Sequence, residues 1–340
     1  MKAKKAYNVG IVGIGAVGTE MVRVLRQRKF PVGELRVMAR SERDEEIAGE
    51  TVHVVPTTPE AFDGLDFVFF AGTEGAKGAS QTYGWEAVKR GCVVIDNGDD
   101  FRMDPRVPLV IPEVNPEALD NHIGFIANPN CSTIIALVAL GPLHDAVGIR
   151  RFVACTYQAV SGTGRDAIVE LETQVRAYAA GQALEAKAYP HQIAFNVLPH
   201  IGRAKPELPG FTTEEAKMLF ETRKILDDNS IRVSSTCVRV PVLNGHSEAL
   251  HVELDAPLSA DEAREILRSA AGVQVVDDLG KAEYPMPLDV SGQDDVFVGR
   301  VREDSSVENG LALFVAGDNI RKGAASNAIQ IAEELIRREK

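Results

Sequence analysis

The chain has 340 residues, which at roughly 150 residues per domain predicts about two domains with substantial cores. Lys and Arg number 37 against 49 Asp and Glu, and the net charge of -12 argues against nucleic acid or an anionic membrane as partner. The apolar runs fall far short of the ~20 residues that span a bilayer, so no membrane span is expected. Neither disulfides nor a metal site is predicted, and a reduced cytoplasm fits best, because no CxxC pair occurs among Cys92, Cys131, Cys155 and Cys237.

The first part of the chain alternates short apolar strands with helices. Continuous apolar strands of this kind are buried on both faces, so they predict an α/β domain with a Rossmann-type doubly wound parallel sheet. The predicted strands are 9–12, 35–38, 67–70 and 93–95, and helices are predicted over 17–28 and 81–89.

After about residue 150 the strands become longer, and several alternate polar with apolar residues. This pattern favours a mixed or antiparallel sheet with one open face, in a second domain of the α+β class. The predicted strands are 151–158, 231–240, 246–255, 295–302 and 310–317, and the predicted helices are 164–180, 213–226, 260–270 and 324–338.

A glycine-rich turn, Gly13-x-Gly15-x-x-Gly18, lies between the first predicted strand and the first helix. Glycines in this context permit a tight turn and let a pyrophosphate approach the backbone N–H groups at the helix start. We therefore predict that Gly13, Gly15, Ala16, Val17 and Gly18 bind a dinucleotide. A tight turn without a ligand is the alternative.

The end of the second strand indicates which dinucleotide is bound. An NAD enzyme usually carries an acidic residue there for the ribose 2′-hydroxyl, whereas this chain has Arg40 and Ser41. A guanidinium beside a hydroxyl suits a 2′-phosphate, so NADP is favoured over NAD. The alternative is an ordinary solvated loop.

Cys131 follows Asn130, which is a good helix N-cap residue, and precedes an apolar helical segment that we expect to stop at Gly141-Pro142. A cysteine in the first turn of a helix lies in partial positive charge, which stabilises the thiolate and makes it a nucleophile. A buried structural cysteine is the alternative.

Arg239 and His246 flank a possible turn. If Asn244-Gly245 closes a two-residue hairpin, both side chains project from one face of the sheet. Their Cα atoms would then lie roughly 13 Å apart, which a small dianion and an extended arginine can bridge. A loop histidine without a catalytic role is the alternative for His246.

Three further charged residues fit a binding site. Arg102 follows the fourth predicted strand, at the carboxyl edge of the sheet where ligands of doubly wound folds bind; a salt-bridged surface arginine is the alternative. Glu214 and Lys217 are three residues apart on a predicted helix, so they either face one site or form an exposed ion pair.

Four motifs follow one another in the chain, at residues 128–133, 156–164, 239–248 and 318–325. They resemble, in this order, the nucleophile segment, the glutamine- and glycine-rich segment, the arginine–histidine strand and the late cofactor segment of the aspartate-semialdehyde dehydrogenase family. The resemblance extends along nearly the whole chain.

This resemblance implies a role for each site residue. Cys131 would be the nucleophile, Gln158 would orient the acyl group, and His246 would be the general acid/base, since an ordinary histidine pKa lies near the working pH. The other implied residues are Arg239 for the substrate α-carboxylate, Glu214 for its amino end, Arg102, Asn130 and Lys217 for phosphate, and Ser161, Gly162 and Asn319 near the nicotinamide.

The resemblance also implies an NADP-binding domain of residues 1–130 plus 318–340, a catalytic and dimerisation domain of residues 131–317, and a homodimer or homotetramer. Two features depart from the family pattern. The glycine-rich turn is one residue shorter than usual, and Asp99 and Asp100 stand where small or hydroxyl residues are usual. Two carboxylates would repel a phosphate unless they point away or pair with Arg102.

The implied reaction is the NADPH-dependent reductive dephosphorylation of L-aspartyl-4-phosphate to L-aspartate 4-semialdehyde and phosphate, through a thioester on Cys131. It would serve the biosynthesis of lysine through diaminopimelate, of threonine and of methionine. Two alternatives stay open: N-acetyl-γ-glutamyl-phosphate reductase, which shares the architecture, and a non-catalytic NADP-binding paralogue.

Overall fold

The computed structural model describes residues 4–47, 49–72 and 78–338. The chain divides into two compact units, the first formed by residues 1–130 and 324–340 and the second by residues 131–323. Within the described residues, no helix combines the length and the apolar character needed to cross a bilayer.

Residues 318–323, which the sequence analysis assigned to the first domain, group with the second unit. Their side chains explain this. The carboxylate of Asp318 accepts hydrogen bonds from Asn244 Nδ2 and from the Gly292 N–H, at 2.8 and 2.7 Å. Arg321 also pairs with Asp294, another residue of the second unit, at 2.9 Å.

The first unit opens with a nearly regular alternation of strands and helices, as its apolar pattern predicts. Its sheet has the order β3-β4-β2-β1-β5-β6-β7, and every pair is parallel except β3 with β4. The elements are β1 (Tyr7–Val12), α1 (Ala16–Gln27), β2 (Val32–Ala39), β3 (Arg43–Ile47), β4 (Glu50–Pro56), β5 (Phe67–Phe70), α2 (Ala79–Lys89), β6 (Val93–Asp96) and β7 (Phe125–Ala127).

The second unit contains a six-stranded mixed sheet with helices. The strand order is β11-β12-β13-β10-β8-β9, in which β8 with β9 and β11 with β12 are parallel and the other pairs are antiparallel. Its elements are α3 (Cys131–Val147), β8 (Ile149–Gln158), α4 (Arg165–Ala179), α5 (Thr213–Ile225), β9 (Arg232–Arg239), β10 (His246–Leu254), α6 (Ala260–Ser269), β11 (Val273–Val275), α7 (Pro287–Val290), β12 (Val296–Glu303) and β13 (Gly310–Gly317).

The last helix, α8 (Ser326–Arg338), belongs to the first unit and completes its core. Its apolar stripe, with Ile329 and Ile331, joins the cluster that Tyr7, Phe67 and Met21 form between the sheet and α1. The two sheets confirm the predicted fold class, a doubly wound parallel sheet and a separate α+β domain. The hairpin β3–β4 was not predicted.

Helix α3 differs from its predicted length, because it continues through Pro142 to Val147. An internal proline removes one helical hydrogen bond and costs about 3 kcal/mol. Here the apolar side chains from Ile134 to Leu143 are buried on every side of the helix, and their burial outweighs that cost.

The glycine-rich turn depends on Gly18 more than on Gly15. A Cβ added to Gly18 would lie 1.9 Å from the carbonyl oxygen of Gly13, whereas a Cβ on Gly15 would meet nothing within 4 Å. Gly13 itself has a φ of 96°, in the region that favours glycine. The close packing of β1 against the start of α1 therefore requires Gly18.

We expect Gly18→Ala to lower the free energy of unfolding by about 2 kcal/mol, because the new methyl group must push the Gly13 carbonyl aside. Gly15→Ala is the matched control and should change it by less than about 1 kcal/mol. Urea denaturation of the three proteins measures both values. Equal losses in the two variants would contradict this account of the turn.

Candidate active site

Three of the predicted site residues come together at one edge of the mixed sheet. Gln158 at the end of β8 is in register with Arg239 at the end of the parallel strand β9. On the other side of β8, Tyr157 is in register with Ser247 of β10, so the preceding residue, His246, comes beside Gln158. All three side chains are buried.

The two-residue hairpin predicted for Asn244-Gly245 is wrong. Strands β9 and β10 do not pair with each other, because β8 lies between them and pairs with both. Arg239 and His246 nevertheless share one face, as expected, since they flank the same end of β8.

The peptide group of Ala159 fixes both of these side chains. Its N–H donates to His246 Nδ1 at 3.1 Å, and its carbonyl oxygen accepts from Arg239 Nη1 at 2.6 Å. A Cβ added to Gly162 would lie 2.9 Å from Arg239 Nη1 and 3.2 Å from His246 Nε2. A glycine at position 162 therefore leaves the space into which both groups open.

The Gln158 amide is held at both ends. The Thr156 hydroxyl donates to Gln158 Oε1 at 3.0 Å, and Gln158 Nε2 donates to Glu214 Oε1 at 3.1 Å. Lys217 Nζ lies 3.5 Å from the second carboxylate oxygen of Glu214. The pair Glu214–Lys217 is thus buried at the site and is not the exposed ion pair that spacing alone allowed.

Cys131 is the first residue of α3, so it lies where the partial positive charge of the helix is concentrated. The late segment of the chain reaches it: a Cβ added to Gly323 would lie only 2.8 Å from the Cβ of Cys131. Cys131 is partly buried, and the preceding residue, Asn130, is buried at the end of the first unit.

The predicted nicotinamide residues of the second unit form one hydrogen-bonded group. Asn319 Nδ2 donates to the Ser161 hydroxyl at 2.9 Å, and Asn319 Oδ1 accepts from the Gly245 N–H at 3.0 Å. Ser161 also donates to Asn244 Oδ1 at 2.9 Å. Both side chains are buried, so these bonds fix their orientation.

The glycine-rich turn of the first unit fits a dinucleotide. Gly15 caps α1 without a side-chain bond, and the open space beside it lets a phosphate approach the N–H groups that begin at Ala16 and Val17. Arg40 and Ser41 are exposed directly after β2. These residues have the geometry and the charge to hold a nicotinamide dinucleotide with a 2′-phosphate.

Arg102 is buried in the first unit, where its Nη2 donates to the Asn97 carbonyl at 2.7 Å, so it is not a surface arginine. Of the two aspartates before it, Asp100 accepts a hydrogen bond from Gln81 Nε2 at 2.8 Å. That bond holds one Asp100 oxygen toward α2. Throughout the described chain, no group of three or more His, Cys, Asp or Glu side chains is arranged to hold a metal ion.

Two pKa values at this sheet edge depart from the ordinary range. Burial, with Arg239 adding to it, lowers the pKa of His246 well below 6.5, so the expected titration near neutral pH is not found. Burial, with Glu214 adding to it, raises the pKa of Glu248 well above 4.5. Sequence reasoning quoted Glu248 within a motif but gave it no role, because its complete burial follows only from the packing of helices on β10.

Comparisons with known proteins were made once this geometry was established. Residues 8–122 match the family model described as semialdehyde dehydrogenase, NAD binding domain, and residues 140–322 match semialdehyde dehydrogenase, dimerisation domain. Aspartate-semialdehyde dehydrogenase of Aquifex aeolicus is 49% identical over 342 residues, 97% of this chain and 98% of that protein. The enzyme of the same name from Bacillus subtilis is 41% identical over 344 residues, with 97% and 98% covered.

Solved structures agree with these relatives. The crystal structure of aspartate semialdehyde dehydrogenase II complexed with ASA from Vibrio cholerae has a TM-score of 0.92 at 44% identity, covering 98% of this chain and 99% of that one. Aspartate semialdehyde dehydrogenase with NADP from Candida albicans has a TM-score of 0.73 at 25% identity, covering 97% and 98%.

Glu248→Gln should stabilise the protein, and the gain should grow as the pH rises from 5 to 8. Above a pH of about 4.5 the carboxyl ionises when the chain unfolds but stays protonated in the folded protein. The wild type therefore loses up to about 1.4 kcal/mol per pH unit through this group. Urea denaturation at four pH values, with the exposed Glu308→Gln as control, measures the difference. A gain that is independent of pH would contradict the protonated state.

Proposed function

Because the chain belongs to the aspartate-semialdehyde dehydrogenase family, we propose that it reduces L-aspartyl-4-phosphate to L-aspartate 4-semialdehyde with NADPH and releases phosphate. The family consists of oxidoreductases that act on aldehyde groups, with a role in amino-acid biosynthesis. The observation that carries the proposal is the grouping of Gln158, Arg239 and His246 in the unit that begins with Cys131. The product would serve lysine synthesis through diaminopimelate, and threonine and methionine synthesis.

Cys131 is the proposed nucleophile. The start of α3 favours its thiolate, which attacks the acyl carbon of the substrate and expels phosphate to leave a thioester. Gln158 orients the acyl group, because both ends of its amide are fixed by Thr156 and Glu214. His246 serves the acyl oxygen from Nε2, the ring nitrogen that borders Gly162.

Arg239 is proposed to bind the substrate α-carboxylate, since a guanidinium pairs with a carboxylate through two parallel hydrogen bonds. Its Nε has no partner among the described residues, although the side chain is buried. Glu214 would bind the amino end, and Lys217, Arg102 and Asn130 would bind phosphate. These cations offset the net charge of -12, which otherwise repels an anionic substrate.

The cofactor is proposed to be NADP, and when bound it supplies the hydride. The turn from Gly13 to Gly18 would hold the pyrophosphate, Arg40 and Ser41 the 2′-phosphate, and Ser161, Gly162 and Asn319 the nicotinamide. Two observations support this: the open space beside Gly15, and the arginine where NAD enzymes carry an acidic residue.

A second copy of the chain is the proposed protein partner, in a homodimer or a homotetramer. The matched dimerisation domain includes the mixed sheet, and one face of that sheet carries apolar side chains that are open to solvent. Tyr157 on this face is 41% exposed and packs against Phe314, with ring centroids 6.1 Å apart. We also propose a cytoplasmic location, since the four cysteines form no disulfide and all lie within the described chain.

The test of the activity is an assay of purified protein with aspartate semialdehyde, phosphate and NADP, read at the absorbance of reduced nicotinamide. We expect turnover, and Cys131→Ala should lower it by several orders of magnitude while cofactor binding is kept. Cys155→Ala, in the same unit, is the matched control and should stay active. Turnover by Cys131→Ala would remove Cys131 from the mechanism.

The same assay separates the alternatives. A preference for N-acetylglutamate semialdehyde would identify the related reductase, and cofactor binding without turnover of either aldehyde would identify a non-catalytic paralogue.

Arg40→Ala should raise KM for NADPH about tenfold or more and leave KM for NADH nearly unchanged, because only NADPH carries the phosphate that the guanidinium binds. Steady-state kinetics with both cofactors measures this. The exposed Arg150→Ala in the second unit is the control for the loss of one positive charge. Equal effects on both cofactors would contradict the proposed role of Arg40.

A further inference from the structure

His246 is held in one tautomer by its surroundings. The backbone N–H of Ala159 donates to Nδ1 at 3.1 Å, and a peptide nitrogen has no lone pair with which to accept in return. Nδ1 therefore carries no proton in this arrangement, and the proton of the neutral ring is on Nε2. The ring is fully buried, so water does not compete for this bond.

The Nε2 atom is the open end of the ring. It has no hydrogen-bond partner among the described residues, although it is fully buried. It borders the space beside Gly162 that Arg239 Nη1 also borders. A buried donor that the protein leaves unsatisfied costs about 1–3 kcal/mol, so its presence points to a ligand atom that accepts from it.

A second proton on His246 is opposed from several sides. Arg239 of β9 carries a positive charge next to the ring, and burial adds to its effect, which together lower the pKa. Glu214 of α5 acts in the opposite direction but more weakly, and Lys217 lies against it. On the same strand, Glu248 has a raised pKa and so contributes no full negative charge. An imidazolium would also place a proton on Nδ1, facing the N–H of Ala159.

The proposed reaction does not need a proton on the acyl oxygen. When the Cys131 thiolate attacks, an S–C bond forms and the carbonyl electron pair moves to oxygen; the pair then returns and phosphate leaves with the C–O bonding electrons. Hydride addition moves the pair to oxygen again, and its return breaks the C–S bond and restores the thiolate. The one proton consumed overall ends on phosphate, so the acyl oxygen becomes negative twice and ends as an aldehyde oxygen.

We propose that His246 stays neutral throughout the reaction and donates a fixed hydrogen bond from Nε2 to the acyl oxygen. This role rests on the proposed function, and it replaces the acid/base role that the family resemblance implied. A fixed donor aimed at a developing oxyanion is worth about 10²–10³ in rate. It also needs no change in protonation between the two directions of the reaction.

Nitrogen NMR of protein labelled with ¹⁵N-histidine tests the proton state directly, with the His246→Gln spectrum identifying the His246 signals. We expect a protonated Nε2 and an unprotonated Nδ1 at every pH from 6 to 9. Titration of His246 within this range, or a proton on Nδ1, would overturn the inference. Because the spectrum needs no substrate, it is independent of whether the proposed activity is found.

Kinetics gives a second test. The Gln side chain also ends in an N–H donor, so His246→Gln should exceed His246→Leu in kcat by about tenfold or more, with a pH profile of the same shape as the wild type. If His246 is an acid/base, the two variants will be equally inactive and one limb of the wild-type pH profile will be missing from both. Urea denaturation of both variants checks that each is folded.

Discussion

Strand β8 pairs with β9 on one side and with β10 on the other, and the arrangement of the site depends on this double pairing. The last residue of β8, Gln158, is thereby set between Arg239 and His246. A hairpin between β9 and β10 would exclude Gln158 from the group. Because the three strands end at the same edge, three residues far apart in sequence form one binding surface without any special loop geometry.

Burial then gives each of these polar groups a single orientation. The peptide of Ala159 binds both His246 and Arg239, and the Gln158 amide is fixed by a hydroxyl and a carboxylate. The atoms left without partners are therefore informative. Nε of Arg239 and Nε2 of His246 are both buried donors, and donors of this kind suit the carboxylate and the acyl oxygen of the proposed substrate.

Much of the fold and of the candidate site could be predicted from the sequence, because the apolar strands and the four motifs are local features. The hairpin β3–β4 was missed since β3 is an edge strand with charged residues from Arg43 to Glu46 and no apolar alternation. The end of α3 was placed too early because the cost of Pro142 is visible in the sequence, whereas the burial that outweighs it is not. For the same reason Glu248 reads as an ordinary charged residue.

The central claim is that the sulfur of Cys131 carries the acyl group of the substrate. Mass spectrometry of the protein mixed with L-aspartyl-4-phosphate, in the absence of NADPH, tests this most directly. The account predicts one added aspartyl group, located on the peptide that contains Cys131 and absent from the Cys131→Ala protein. An active preparation that never carries this group, or that carries it on another residue, would contradict the account.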